Sequence, residues 1–168
     1  MLAASRELDA ALPPVPGAAP RRREPLAAEA RADLAALAEV LIPSDDLPGA
    51  REAQVITYLE RALDGHLARL RPLFDGGLAD LAARARAAGG EGARFATLPA
   101  AQQVAIVQAL ESEKSAFFEA ARHATISGFL GDPSWGGNAN KVGWQVIGFE
   151  DRYAWTAPFG WYDDASAP

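Results

Sequence analysis

Apolar residues recur every three or four positions through most of this chain, and that spacing predicts α-helices. A first helix is predicted from Leu26 to Pro43, where the proline ring ends it. A second helix is predicted from about Ala50 to Leu63. The side chains on its buried face are predicted to be Val55, Tyr58, Leu59, Ala62 and Leu63.

A third helical stretch carries apolar residues from Leu67 to Leu81. Pro72 and the Gly76-Gly77 pair are predicted to kink or split it, because these residues weaken a helix interior. Two further helices have the apolar positions Val104, Ile106, Val107 and Leu110, then Phe117, Phe118, Ala121, Ala124, Thr125 and Phe129. No alternation typical of strands competes with this signal, so the predicted fold is an all-α bundle of about five helices.

Proline, glycine and charge divide the chain into three parts. Residues 1–25 are rich in proline, alanine and arginine and are predicted to form a flexible arm. Residues 26–150 are predicted to form the helical domain, ending in an ordered loop region rich in glycine and tryptophan. Residues 151–168 contain Tyr153, Trp155, Phe159, Trp161 and Tyr162. Because exposed rings reduce solubility, this tail is predicted to dock on the domain or on a partner.

Composition narrows the possible functions. A length of 168 residues fits one domain, and a net charge of −6 disfavours broad binding to nucleic acids. The absence of cysteine excludes disulfides, thiolate metal sites and haem c attachment through CxxCH. No apolar run approaches the roughly 18 residues of a membrane-spanning helix. Residues 1–20 lack a basic segment followed by an apolar run, so no signal peptide is predicted.

Candidate catalytic residues are few. His66 is predicted to be a capping or surface histidine at a helix junction. His123 is predicted to be a buried orienting or interface residue, and a general base acting with Asp132 is the alternative. The chain has no HExxH motif, no GxSxG elbow and no phosphate-binding glycine motif. Independent catalysis is therefore not expected.

The stretch from residue 123 to residue 149 differs from the helices before it. Its sequence, HATISGFLGDPSWGGNANKVGWQVIGF, contains six glycines, which permit unusual backbone angles and close approaches. Gly136, Gly137 and Asn138 predict a tight turn with positive φ that aims Trp135 and Trp144. Packing of these indoles on the chain's own helices and exposure to a partner both fit the pattern.

This stretch also carries a family resemblance. The residues concerned are Thr125, Gly128-Phe129, Gly131-Asp132-Pro133, Trp135-Gly136-Gly137-Asn138, Lys141-Val142-Gly143-Trp144 and Ile147-Gly148-Phe149. Their pattern resembles the C-terminal signature of the gluconate 2-dehydrogenase subunit 3 family. The segment from Ile42 to Asp46 is similar to the family's opening motif, and Phe95 with Leu98 is similar to its middle. The resemblance covers most of the chain, from about Leu34 to Phe149.

The resemblance implies a non-catalytic small subunit of a membrane-associated, FAD-dependent sugar or sugar-acid dehydrogenase. Such a subunit would support the maturation, stability or export of a large flavoprotein subunit. FAD is then expected in that partner and haem c in a multihaem cytochrome c subunit, with no cofactor in this chain. A stand-alone helical binding or chaperone-like module, not tied to a dehydrogenase, is the alternative.

The helix before the loop, the signature and the aromatic tail nominate residues, and the resemblance implies a compartment. The residues nominated for a partner interface or its structural support are His123, Asp132, Trp135, Gly136, Gly137, Asn138, Lys141, Trp144, Phe149, Trp155 and Trp161. The complex is implied to be periplasmic. Because no signal peptide is predicted in this chain, the cytoplasm is the alternative.

Overall fold

The computed structural model describes residues 24–152 and residue 154. Residues 1–23, 153 and 155–168 lie outside this description, and they include most of the predicted arm and tail, with Trp155 and Trp161. The described residues form six α-helices and no β-strand. The helices are α1 (Ala28–Leu41), α2 (Val55–Asp64), α3 (Arg71–Gly89), α4 (Ala100–Ser112), α5 (Ala116–Leu130) and α6 (Val142–Val146). The all-α prediction is confirmed.

Helix α1 lies at the centre of the bundle. It contacts α2, α3, α4 and α5, and Leu34 and Leu37 on its inner face are completely buried. Helix α2 packs mainly on α5, and it buries the five residues that the sequence predicts. It begins at Val55 and not at Ala50, because residues 50–54 form a turn that ends with Gln54 at φ +52°.

Helix α3 corrects the prediction of a kinked or split third helix. It is one helix of 19 residues, preceded by a single 3-10 turn, Ala68–Leu70. Pro72 lies in its first turn, where a missing N–H breaks no helical hydrogen bond. A Cβ at Gly77 would overlap with the Phe117 ring, which packs edge-on against Phe74 at 5.6 Å. Gly77 therefore allows close packing of α5 on α3 and does not break the helix.

Helices α4 and α5 complete the core. Ile106, Val107 and Leu110 of α4 are buried, whereas Val104 is 42% exposed. Ser115 caps α5, its hydroxyl oxygen accepting a hydrogen bond from the Phe118 N–H at 3.4 Å. The six apolar positions predicted for this helix are all buried. Helix α5 leads directly into the segment 131–149, which we call the C-terminal loop.

Charged side chains hold the connection between α1 and α2, residues 42–54, which we call the N-terminal loop. The Glu39 carboxylate accepts hydrogen bonds from the backbone N–H groups of Ser44 (3.0 Å) and Arg51 (3.1 Å). The Glu52 carboxylate accepts one from the Gly49 N–H at 2.9 Å and another from the Ser44 hydroxyl. Bonding from Ser44 and then from Gly49 lowers the pKa of Glu52.

Candidate functional site

The C-terminal loop is organised around one buried amide. Asn138 is fully buried, and its Nδ2 donates to the Gly131 carbonyl at 2.8 Å. Its Oδ1 accepts from the Gly143 N–H at 2.9 Å. One neutral side chain therefore ties the start of the loop to α6. It supplies the hydrogen-bond partner of one backbone carbonyl and of one backbone N–H.

Two glycines let the loop approach α5 at backbone distance. A Cβ at Gly137 would overlap with the Gly128 carbonyl, and a Cβ at Gly143 would overlap with that of Phe129. The Ala139 N–H donates to the Ala53 carbonyl at 3.0 Å, which fixes the loop to the turn before α2. The loop is thus held on two sides by groups that belong to the backbone.

The predicted tight turn is present. Gly136 has φ +105° and Asn138 has φ +46°, both in the left-handed region. Asn140 and Lys141 also adopt positive φ, at +55° and +60°. Four such residues within six positions change the chain direction sharply, and this brings α6 back against the end of α5.

Trp144 faces inward. Its Nε1 donates to the Leu130 carbonyl at 2.6 Å, and this carbonyl lies in the last turn of α5. The Phe149 ring packs edge-on against its indole at 5.1 Å, and the Lys141 ammonium lies 5.7 Å from the ring centroid. Trp144 therefore anchors the loop to the bundle. Of the two alternatives that the sequence leaves open, this indole packs on the chain's own helices.

Trp135 faces outward. Its side chain is 56% exposed at the tip of a 3-10 turn, Pro133–Trp135. The His66 imidazole packs edge-on against this indole with ring centroids 5.6 Å apart. The His66 Nε2 in turn lies 3.4 Å from the Tyr58 hydroxyl. The two tryptophans of the signature thus have opposite orientations, one in the fold and one at its surface.

An open cleft of about 410 Å³ adjoins Trp135, and we call it the aromatic cleft. It is lined by Tyr58, His66, Ile126, Ser127, Leu130, Gly131 and Trp135. The lining is predominantly aromatic and aliphatic, which is the usual character of binding sites for apolar groups. Sequence reasoning missed His66 in this role, because His66 and Trp135 are 69 positions apart and meet only through the packing of α2 on α5.

His123 and Asp132 are not brought together. His123 is exposed on the outer face of α5, so the prediction of a buried orienting histidine is wrong and the interface role stays a prediction. Ala121 and Ala124, its neighbours in the same helix, are buried in the core. The Asp132 carboxylate accepts a hydrogen bond from the Ser134 N–H at 2.8 Å. Hydrogen bonding from the Ser134 side chain and backbone lowers the pKa of Asp132.

Lys141 and Phe149 both lie beside the Trp144 ring. The Lys141 ammonium forms an ion pair with Asp151 at 2.7 Å, which fixes the chain where it leaves the loop. Phe149 and Ile147 are both exposed large hydrophobic residues. Trp155 and Trp161, the remaining nominated residues, are outside the described part of the chain.

Two classes of site are not found in the part of the chain that the structure describes. Residues 24–152 and 154 contain no group of three or more His, Asp or Glu side chains placed to hold a metal ion. None of the described helices has the length and hydropathy needed to cross a membrane. The candidate site is the C-terminal loop together with its exposed apolar side chains.

Comparison with known proteins gives one result. A family model described as gluconate 2-dehydrogenase subunit 3 matches residues 28–151. Neither the curated proteins nor the solved structures gave a match. The matched range contains all six helices and the whole C-terminal loop, so the relationship covers the described fold and not only a local motif.

Proposed function

The chain belongs to the gluconate 2-dehydrogenase subunit 3 family, and we propose that it is the non-catalytic small subunit of an FAD-dependent dehydrogenase complex. In this role it binds the large flavoprotein subunit and supports that subunit's maturation, stability or export. The family relationship implies a subunit of a dehydrogenase complex. The accessory role and the flavoprotein partner are the steps that we add to it.

The clustering of exposed apolar side chains carries the proposal. Among the described residues, six large hydrophobic side chains are exposed. Three of them, Trp135, Ile147 and Phe149, lie on the C-terminal loop, and a fourth, Ile126, lies in the last turns of α5 that lead into it. Concentration of exposed apolar groups on one element is typical of a protein-binding surface, whereas single exposed hydrophobic residues are common anywhere.

The rigidity of the loop supports the same function. Asn138 and the close approaches of Gly137 and Gly143 fix the backbone before any partner arrives. A surface that is already ordered loses little conformational entropy on binding, so more of the contact energy appears as affinity. Trp135 is also the residue type most often found at the energetic centre of protein interfaces.

The placement of the candidate catalytic residues favours a partner over independent catalysis. His123 and Asp132 lie at separate surface positions, and Asp132 is engaged as a cap for Ser134. A general base needs a second group or a substrate within hydrogen-bond reach. We assign FAD to the large subunit and haem c to a multihaem cytochrome c subunit, and we place the complex in the periplasm at the membrane.

Co-purification tests the proposal. The chain is expressed with the large FAD-dependent dehydrogenase of its own organism, and we expect a soluble heteromer with an interface above about 1,200 Å². Replacing Trp135 and Ile147 together by alanine should weaken binding about tenfold or more. Val104→Ala is the matched control, because Val104 is an exposed hydrophobic residue on α4.

Two outcomes would contradict the proposal. If the chain stays a monomer that ignores the flavoprotein, the stand-alone binding module replaces the accessory subunit. If the purified chain oxidises sugars or sugar acids with an artificial electron acceptor and without the flavoprotein, the non-catalytic assignment fails.

A further inference from the structure

We propose that the aromatic cleft is the docking site for this chain's own C-terminal aromatic segment, residues 155–162, in the isolated subunit. The inference concerns the chain by itself and does not depend on the proposed function. It assigns an occupant to a surface that the fold leaves open, and it rests on the chemistry of the cleft, on the point where the described chain ends and on charge.

The cleft presents the surface that aromatic side chains require. Tyr58, His66 and Trp135 supply ring faces and edges, and Ile126 and Leu130 supply aliphatic walls. His66 lies between the other two rings, 3.4 Å from the Tyr58 hydroxyl and 5.6 Å from the Trp135 ring centroid. Aromatic pairs favour such tilted and edge-on arrangements, and a further ring entering the cleft extends the same stack.

A short series of contacts links the end of the described chain to this cleft. Asp151 pairs with Lys141 at 2.7 Å, and the Lys141 ammonium lies 5.7 Å from the Trp144 ring. The Trp144 indole donates to the carbonyl of Leu130, which lines the cleft. Three successive contacts therefore connect the exit point to the site. The seven residues from Trp155 to Trp161 span up to about 25 Å when extended, which gives the segment a long reach from this exit point.

The sequence of the segment matches the site. Residues 155–162 read WTAPFGWY, so four of eight residues are aromatic. Asp163 and Asp164 follow directly. Arg61 lines a smaller cavity of about 280 Å³ that shares Tyr58, His66 and Trp135 with the cleft, and it has no ion-pair partner among the described residues. Acidic residues next to an aromatic cluster thus complement a cation next to an aromatic cleft.

Tethering favours this occupant over a separate molecule. A segment attached a few residues from its site has an effective concentration in the millimolar range. A second copy of the chain, or another protein, must exceed that concentration to compete in solution. The segment on the same chain is therefore the occupant expected of the isolated subunit.

Disulfide trapping in the full chain tests the inference, and the absence of native cysteine makes it clean. Ile126→Cys is combined in turn with Trp155→Cys, Phe159→Cys and Trp161→Cys. We expect at least one pair to form an intramolecular disulfide about tenfold faster than the matched Val104→Cys pair. Val104, like Ile126, is an exposed hydrophobic residue, so both positions accept cysteine without loss of the fold.

A second measurement reads the cleft without cysteine. Replacing Trp155, Phe159 and Trp161 together by serine should shift the NMR signal of the Trp135 indole N–H and raise binding of a hydrophobic dye several-fold. Arg61→Glu should give a smaller shift in the same direction. Circular dichroism establishes that each variant is folded.

Three results would overturn the inference. Equal trapping rates for the Ile126 and Val104 pairs would remove the cleft as the site. Disulfides that form only between two molecules would assign the cleft to a second copy. An unchanged Trp135 signal in the folded triple-serine variant would show that the segment does not reach the cleft.

Discussion

The N-terminal and C-terminal loops of this protein are held in place by different kinds of interaction. Both reverse the chain beside the bundle, but the N-terminal loop is held by the carboxylates of Glu39 and Glu52. The C-terminal loop is held by the neutral amide of Asn138 and by direct contact of glycine backbone with α5. The first arrangement depends on charge and the second on shape.

This difference indicates where substitutions are tolerated. A carboxylate at the surface keeps water as an alternative partner, so its loss costs little. A buried amide has no such alternative, and a glycine pressed against a carbonyl has no space for one carbon atom. The C-terminal loop should therefore be fragile to mutation and resistant to pH, and the N-terminal loop should show the reverse.

The largest effect is expected at Gly143. Gly143→Ala places a Cβ into the Phe129 carbonyl, so the loop must separate from α5 at a cost of about 4 kcal/mol or more. The free energy of unfolding from urea titration measures it. Gly76→Ala is the control, because a Cβ there meets nothing within 4 Å and should stabilise α3 by about 0.5–1 kcal/mol. Equal effects at the two sites would refute the shape argument.

Asn138→Ala is expected to cost about 3 kcal/mol, since it leaves the Gly131 carbonyl and the Gly143 N–H without partners and puts alanine at positive φ. Asn140→Ala separates the two causes. Asn140 also has positive φ, at +55°, but it is exposed, so its replacement should cost only about 1 kcal/mol. Calorimetric unfolding of both variants gives the difference, and a difference near zero would exclude the buried hydrogen bonds as the support.

The two signature tryptophans should differ in the same way. Trp144→Ala removes a half-buried indole and its bond to Leu130, at a cost of about 2 kcal/mol. Trp135→Ala should change stability by less than about 1 kcal/mol, because Trp135 is largely exposed. Thermal melts measure both effects, and pull-down of the flavoprotein should show the opposite order. If Trp135→Ala unfolds the protein, the assignment of that ring to a binding surface is wrong.

The smallest effect concerns acid. The folded-state pKa of Glu52 is lowered, so its contribution to stability is fully present above the ordinary glutamate pKa and is lost as the pH falls through the lowered, folded-state pKa. Hydrogen exchange at decreasing pH should show residues 42–54 opening before Gly137 and Asn138. Glu52→Gln should remove part of this pH dependence. The pKa of Asp132 is also lowered, so the exchange of the C-terminal loop around Asp132 is compared with that of residues 42–54 in the same experiment.

Sequence pattern alone determined the helical class, the central apolar positions and the family, because helix periodicity and local glycine motifs are short-range properties. The same short range explains the errors. The sequence around Gly77 predicts a break in the helix, but in the fold this glycine makes room for the Phe117 ring of α5. The position of His123 in α5 places it at the surface, which the sequence pattern does not predict.

Only the tertiary structure decided the roles within the C-terminal loop. In the sequence Asn138 is one polar residue in a polar turn. In the fold it is buried away from water, and its side chain bonds to two backbone groups. Trp135 and Trp144 are both tryptophans next to a glycine in the same stretch, yet the Trp144 indole bonds to the Leu130 carbonyl and the Trp135 indole packs against His66. The direction in which a side chain points depends on contacts between residues far apart in the chain, and these exist only once the bundle has formed.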